Sequence, residues 1–101
     1  MSSPEVTIPE TDQQSKTRKY PLYKVFVHND DATPYNVVIS VLIKVFAKQP
    51  AQAKAITMEA HKTGVAFVTA LTLEQAEFRV EQAHAIARAN GFPLTFTYEP
   101  E

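Results

Sequence analysis

The apolar residues of the chain recur with two different spacings, and these spacings predict its strands and helices. Alternation at every second residue, as in Tyr23, Val25 and Val27, places these side chains on one face of a strand. Recurrence at three and four residues produces an apolar stripe along a helix. In chain order the pattern predicts a strand over Leu22–Val27, a helix over Pro34–Ala47, a helix over Pro50–Lys62, a strand over Val65–Leu71, a helix that Thr72 opens and Gly91 ends, and a strand from Leu94 to Tyr98.

Residues with special backbone preferences mark the predicted helix ends. Thr33 followed by Pro34 predicts that the first helix starts with a capping hydroxyl and a proline at its first position. Thr72 with Gln75 three residues later has the pattern of a capping box. Gly64 is expected to adopt the left-handed conformation that closes the second helix.

The order strand, helix, helix, strand, helix, strand predicts an α+β fold. Elements of this number bury their apolar faces as a two-layer sandwich, with three helices on one face of a small, three-stranded, mostly antiparallel sheet. The first 19 residues combine prolines, serines and other polar residues with few apolar ones. We therefore expect residues 1–19 to be a disordered N-terminal arm and residues 20–101 to be a single domain.

A polar turn separates the first predicted strand from the first predicted helix. It contains Asn29, Asp30 and Asp31 in succession, which is more polarity than a turn needs. Such short side chains hydrogen-bond to nearby backbone N–H groups. Two interpretations are open from these residues alone: either Asp31 or Thr33 caps the helix and the rest is solvated, or the turn is a binding site.

Composition narrows the classes of function. With 10 basic and 11 acidic residues the net charge is −1, so a nucleic-acid partner, which requires a basic surface, is not expected. The chain has no cysteine, which excludes disulfides and cysteine metal sites. It has no apolar stretch as long as a membrane span and no signal-peptide core, and the acidic residues near its start are atypical of a transit peptide. We expect no membrane partner.

Several short motifs follow one another along the chain. They are Tyr23-Lys24-Val25 leading into His28-Asn29-Asp30-Asp31-x-Thr33-Pro34, then His61-x-x-Gly64, Thr72-x-Glu74-x-Ala76 and Ala89-Asn90-Gly91-x-Pro93-Leu94. Together, and all in one register, these motifs resemble the ClpS family, the adaptors of the N-degron pathway. The resemblance extends over residues 20–98, and no single motif is specific without the others.

The resemblance implies an adaptor protein that is not an enzyme and has no cofactor or bound metal. Such an adaptor binds the bulky hydrophobic N-terminal residue of a substrate protein and delivers that protein to a Clp-family AAA+ unfoldase, ClpA-like or ClpC-like, for degradation. The family also implies a role in delivery for the arm at residues 1–19. We expect a monomer in the cytoplasm, with the plastid stroma as the alternative compartment.

The resemblance also assigns residues to three roles. The α-amino group of the substrate would be held by Asn29, Asp30, Asp31 and His61. The side chain of its first residue would enter a pocket formed by Val27, Thr33, Tyr35, Val38, Thr57, Ala60 and Leu94. The unfoldase would dock on the first turns of the third helix, at Glu74 and Arg79.

The chemistry of these residues agrees with the assignment, although four positions depart from the family. An ammonium group has three N–H donors and needs a convergent cluster of acceptors, which carboxylates, an amide oxygen and a neutral imidazole supply. The family usually has an aromatic residue at Ala32, methionine at Tyr35, and larger apolar residues at Thr57 and Ala60. We therefore expect a bulky apolar first residue, with a changed ranking among Leu, Phe, Tyr and Trp.

Two other classes of function remain open from the sequence. His28, Asp30, Asp31 and His61 are residue types that bind metals, and His61 with an aspartate and Thr33 resembles the composition of a hydrolase triad. Their spacing fits neither a compact metal motif nor a serine elbow. The other alternative is a structural interaction module whose pocket has been repurposed, in which binding would not depend on a terminal amine.

Overall fold

The computed structural model describes residues 20–101, so the predicted arm at 1–19 lies outside the described residues. The elements follow the predicted order. They are β1 over Leu22–His28, α1 over Tyr35–Phe46, α2 over Pro50–Thr63, β2 over Val65–Thr72, α3 over Leu73–Ala89 and β3 over Thr95–Pro100. The predicted α+β fold is therefore confirmed, with boundaries that differ by one or two residues.

The first strand lies in the centre of the sheet. The strand order is β2-β1-β3, and both pairings are antiparallel. Because Val25 pairs with Thr69 while Phe26 pairs with Phe67, Val68 is an extra residue that forms a bulge in β2. Val25 and Val27 are fully buried, as the two-residue alternation predicts.

The core lies between the sheet and the helices. α1 contributes its apolar stripe, and α3 contributes small residues that allow its backbone to approach the sheet closely. The buried core residues of the three helices are Val38, Val41, Leu42, Val45, Phe46, Ala53, Ala60, Ala76, Val80, Ala83 and Ala87. The opposite face of the sheet leaves Val65 and Phe67 exposed.

The predicted cap of α1 is wrong. Pro34 is the N-cap residue, and no side chain caps the helix, so neither Thr33 nor Asp31 has the predicted role. The Thr33 hydroxyl instead donates a hydrogen bond to the Asp30 carboxylate, at 2.9 Å. The hydroxyl that the sequence pattern assigns to the start of the helix is therefore bonded to a carboxylate within the turn.

The other predicted helix boundaries are confirmed. Pro50 is in the first turn of α2, and Gly64 ends it at a φ of 96°. Thr72 caps α3, where its hydroxyl accepts a hydrogen bond from the Gln75 N–H at 3.4 Å. Gly91, at a φ of 82°, follows the end of α3.

A backbone hydrogen bond fixes the position of the polar turn relative to α2. The Asn29 N–H donates to the Gly64 carbonyl at 3.0 Å. Because Gly64 directly follows the last turn of α2, this bond brings the turn between β1 and α1 beside the end of the helix that carries His61.

Candidate functional site

Asp30 organises the polar turn by accepting three hydrogen bonds within it. Its Oδ1 accepts from the Ala32 N–H at 2.8 Å and from the Thr33 N–H at 2.7 Å, and its Oδ2 accepts from the Thr33 hydroxyl at 2.9 Å. This is the Asx-type geometry that aspartate favours in turns. The turn is therefore held in one conformation by a single carboxylate.

The charge of Asp30 persists in mildly acidic solution. Burial raises the pKa of this carboxyl, but the hydrogen bonds from Ala32 and Thr33, together with the positive charge of Arg88, lower it by more. The net result is a pKa below the usual value of an aspartate. A carboxylate of this kind attracts cations, so the turn is suited to a positively charged group.

Tyr35 and His61 meet beside this turn. Tyr35 is the first residue of α1 and is 43% exposed, and His61 lies in the last turn of α2. Their ring centroids are 5.1 Å apart with an interplanar angle of 65°, an edge-to-face contact. The contact joins the first turn of α1 to the last turn of α2 and restricts the orientation of both rings.

Tyr35 also lines a cavity whose empty space is about 270 Å³ when open solvent is counted, and whose enclosed part, about 10 Å³, has room for about one water molecule. All seven residues predicted for the side-chain pocket line it, together with Asn29 and Asp30 of the predicted amine site. Asp31 and His61 are exposed and are not among the lining residues, although His61 contacts Tyr35. The cavity is lined by Val27, His28, Asn29, Asp30, Thr33, Tyr35, Val38, Thr57, Ala60 and Leu94.

The cavity combines an apolar interior with polar groups on one side. Val27 and Leu94 are each 1% exposed, so the interior consists of core side chains. The Thr57 hydroxyl donates a hydrogen bond to the Ala53 carbonyl at 2.8 Å, so its proton is already paired. An apolar group attached to a cation fits this arrangement. Burial favours the apolar group, and the hydrogen-bond acceptors of the turn favour the cation.

The structure does not support the metal or hydrolase alternative. Within residues 20–101, no group of three or more histidine, cysteine, aspartate and glutamate side chains is placed to hold a metal ion. The hydroxyl of Thr33 is hydrogen-bonded to Asp30 and not to a histidine, so the residues that resembled a triad are not arranged as one.

Within residues 20–101, no helix has the length and apolar character needed to cross a membrane.

The residues predicted for unfoldase docking lie away from the cavity, on the first two turns of α3. Glu74 is exposed, and Arg79 donates a hydrogen bond to the Val45 carbonyl at 3.4 Å. Phe78, which the docking prediction did not include, is 56% exposed, and the Arg79 guanidinium carbon lies 5.7 Å from its ring centroid. Phe78 could have been found from its position off the buried stripe of Ala76 and Val80.

Comparisons with known proteins identify the family to which the chain belongs. Residues 18–97 match the family described as "ATP-dependent Clp protease adaptor protein ClpS". The chain belongs to the ClpS family. The predictions of this family, of an adaptor of the Clp protease and of a protein that is not an enzyme are thereby confirmed.

ClpS proteins from several bacteria are similar over nearly the whole chain. The ClpS of Gloeobacter violaceus is 49% identical over 92 residues, covering 89% of this chain and 92% of the relative. The second ClpS protein of Mesorhizobium japonicum is 40% identical over 99 residues, covering 97% and 98%. The structure of Agrobacterium tumefaciens ClpS2 bound to L-phenylalaninamide matches with a TM-score of 0.79 and 38% identity, covering 82% of this chain and all of that one.

Proposed function

We propose that the cavity binds the bulky apolar N-terminal residue of substrate proteins, and that the turn beside it holds the free α-amino group. The observation that carries this proposal is the direct junction of a buried apolar interior with the acceptors of the polar turn. The Agrobacterium ClpS2 is described as bound to L-phenylalaninamide, which has the same two features, a free amine and a large apolar side chain.

The amine ligands have unequal roles in this proposal. A carboxylate offers about four lone-pair sites, and Asp30 already uses three within the turn. Asp30 therefore contributes mainly its charge and the shape of the turn. Asn29 and a neutral His61 are the more available acceptors, and Asp31 adds negative charge from its exposed position.

The expected affinity follows from a small number of contacts. Each hydrogen bond to the ammonium contributes roughly 1.5–3 kcal/mol. Burial of a Leu- or Phe-sized side chain adds about 1.5–3 kcal/mol. After the cost of association, the total corresponds to binding of about −8 kcal/mol, or a micromolar dissociation constant.

The choice of first residue depends on the shape of this particular cavity. Tyr35 is restrained by His61, so it narrows the entrance more rigidly than a flexible methionine does. Thr57 and Ala60 leave more space in the interior than larger apolar residues do. We propose that bulky apolar first residues are retained, while the ranking among Leu, Phe, Tyr and Trp differs from that of the family.

Delivery requires a second surface, which we place on the first turns of α3. Phe78 and Arg79 place an exposed aromatic ring beside a guanidinium group, two residue types that are enriched at protein interfaces, and Glu74 adds an exposed negative charge. The partner is a Clp unfoldase, ClpA-like or ClpC-like, and the adaptor acts as a monomer in the cytoplasm. Residues 1–19 assist the transfer of the substrate.

The proposal is tested by the anisotropy of a labelled peptide that begins with Phe, measured beside its N-acetylated twin. Acetylation removes the charge and leaves the acceptors unpaired, so we expect it to abolish most of the binding. His61→Ala should weaken binding of the free amine, whereas Lys62→Ala, a change at the exposed neighbouring residue, should not. Equal binding of both peptides would instead indicate an interaction module with a repurposed pocket.

The docking surface is tested separately by binding to a purified Clp unfoldase. Phe78→Ala should weaken this interaction without changing the affinity for the free-amine peptide, because Phe78 is not among the residues that line the cavity. Exposed Glu59 on α2 provides a control position, and Glu59→Ala should change neither interaction. If the unfoldase binds Phe78→Ala and Glu74→Ala as tightly as it binds the wild type, this location of the docking surface is wrong.

A further inference from the structure

The segment from Phe92 to Phe96 carries one wall of the cavity but has little secondary structure of its own. Leu94 is 1% exposed and lines the cavity, yet it precedes the first residue of β3. Its position therefore depends on what holds the backbone on either side. Pairing with β1 holds Thr95 and Phe96 through Val27 and His28, and side chains of α3 hold the backbone before and beside them.

Two side chains of α3 hold this backbone. The Arg88 Nη1 donates hydrogen bonds to the carbonyls of Phe92, at 3.0 Å, and Leu94, at 2.7 Å. His84 Nε2 accepts a hydrogen bond from the Phe96 N–H at 2.9 Å. His84 and Arg88 are four residues apart, so they project from the same face of the helix.

The same arginine also affects the acidic turn that borders the cavity. Its positive charge contributes to lowering the pKa of Asp30, after the hydrogen bonds from the turn. Arg88 therefore lies close enough to influence both the acidic turn and the backbone of the apolar wall. This position differs from that of Asn90 at the same end of α3, whose side chain donates to the Ile86 carbonyl of its own helix, at 2.9 Å.

We propose that His84 and Arg88 form a clamp that positions Leu94, and that the clamp thereby sets how tightly the cavity holds the side chain of the bound N-terminal residue. Both are positioning residues, since they act through the backbone of residues 92–96. The inference rests on the proposed function, because it assigns a role in the same site to residues outside its lining.

The first test compares Arg88→Gln with the matched control Asn90→Ala in the peptide assay. Arg88→Gln should bind the free-amine Phe peptide roughly tenfold more weakly, the lower end of the effect of one methylene contact in an apolar pocket. It should also change the ratio of the affinities for Phe and Leu peptides. Asn90→Ala should bind both peptides like the wild type, although it removes a hydrogen bond from the same helix end.

A second test needs no ligand and separates positioning from general destabilisation. In spectra of protein labelled at leucine methyl groups, Arg88→Gln should shift or broaden the Leu94 signals and leave those of Leu42, which is fully buried in the core, unchanged. His84→Leu should affect the same Leu94 signals. If Arg88→Gln unfolds the protein, Arg88→Lys, which retains the charge, should give a smaller change of the same kind.

These outcomes distinguish a failure of the proposed clamp from a failure of the proposed binding site. Unchanged peptide affinity in Arg88→Gln, or an equal loss in Asn90→Ala, would overturn the clamp. Unchanged Leu94 signals in both the His84 and Arg88 variants would overturn it as well. If the wild-type protein fails to discriminate the free amine from its acetylated twin, the proposed function itself fails, whatever the Leu94 signals show.

Discussion

The helices α1 and α3 differ at both ends. α1 begins after Pro34 without a side-chain cap and ends at Ala47, which has a φ of 56° although it is not a glycine. α3 begins at Thr72, whose hydroxyl accepts from a backbone N–H, and it is followed by Gly91 in the left-handed conformation that glycine tolerates. Of these two helices, α1, which borders the cavity through Tyr35 and Val38, has the poorer local signals.

This difference shows where tertiary structure overrides local preference. α1 has five buried residues in 12 and is held by packing, mainly against α2 and α3. Thr33 is therefore available to bond to Asp30 and fix the turn of the proposed site. Conflicts between a local rule and the structure are expected where function constrains the side chains. α3 has no such conflict at its start.

Removal of the carboxylate that holds the turn should have the largest effect. Asp30→Ala breaks three hydrogen bonds to an ionised acceptor, and we expect it to lower the free energy of unfolding by about 2 kcal/mol. Peptide affinity should fall at least about tenfold, because one charge and the shape of the turn are lost together. Urea denaturation and peptide anisotropy measure the two effects.

The neighbouring aspartate is a matched control for the stability effect. Across residues 20–101, the structure shows no hydrogen bond to the exposed Asp31 carboxylate. Asp31→Ala should therefore change the free energy of unfolding by less than about 0.5 kcal/mol. An equal loss of stability in the two variants would mean that the charge of the turn matters and its internal hydrogen bonds do not.

The two threonines provide a direct comparison of the helix starts. Thr72→Ala should destabilise the protein by about 1 kcal/mol, the usual cost of a lost N-cap, without changing peptide affinity. Thr33→Ala should have a similar cost for a different reason, the loss of a hydrogen bond to Asp30, and it should weaken peptide binding as well. Loss of peptide affinity in both variants would contradict the separation of the two roles.

The comparison of α1 with α3 also shows which features of the fold and the site can be predicted from the sequence alone. The alternation of Val25 and Val27 and the spacing of the α1 stripe predict the elements correctly, because burial on one face dictates them. All seven residues that the family resemblance assigns to the pocket line one cavity of the structure. Their role in binding stays a prediction.

What the sequence could not supply depends on contacts between distant segments. Thr33 has the signature of a cap, and only the position of Asp30 shows that its hydroxyl is used elsewhere. His84 has mostly polar neighbours along its helix, yet it accepts a hydrogen bond from the Phe96 N–H, 12 residues away. Arg88 also reaches past the end of its helix. No periodicity or motif encodes such partners.

The strained end of α1 predicts a stabilising substitution. Left-handed backbone costs a residue with a Cβ roughly 1–2 kcal/mol, so Ala47→Gly should raise the free energy of unfolding by about 0.5–1 kcal/mol once the greater freedom of the unfolded chain is included. Ala55→Gly, at an exposed position inside α2, should lower it by about 1 kcal/mol. Urea denaturation that gives the same sign for both variants would show that Ala47 is not strained.

The smallest effect should be the acid dependence of stability that Asp30 contributes. Its pKa is lowered in the folded protein, so its contribution is fully present above the ordinary value of 3.8 and is lost as pH falls through the folded value. Water screens a partly exposed carboxylate, which keeps the contribution below that of the substitutions above. Between about pH 5 and about pH 2, the urea midpoint of the wild type should therefore fall more steeply than that of Asp30→Asn, whereas Asp31→Asn should follow the wild type. Parallel curves for all three proteins would show that the hydrogen bonds of the turn do not depend on the charge of Asp30.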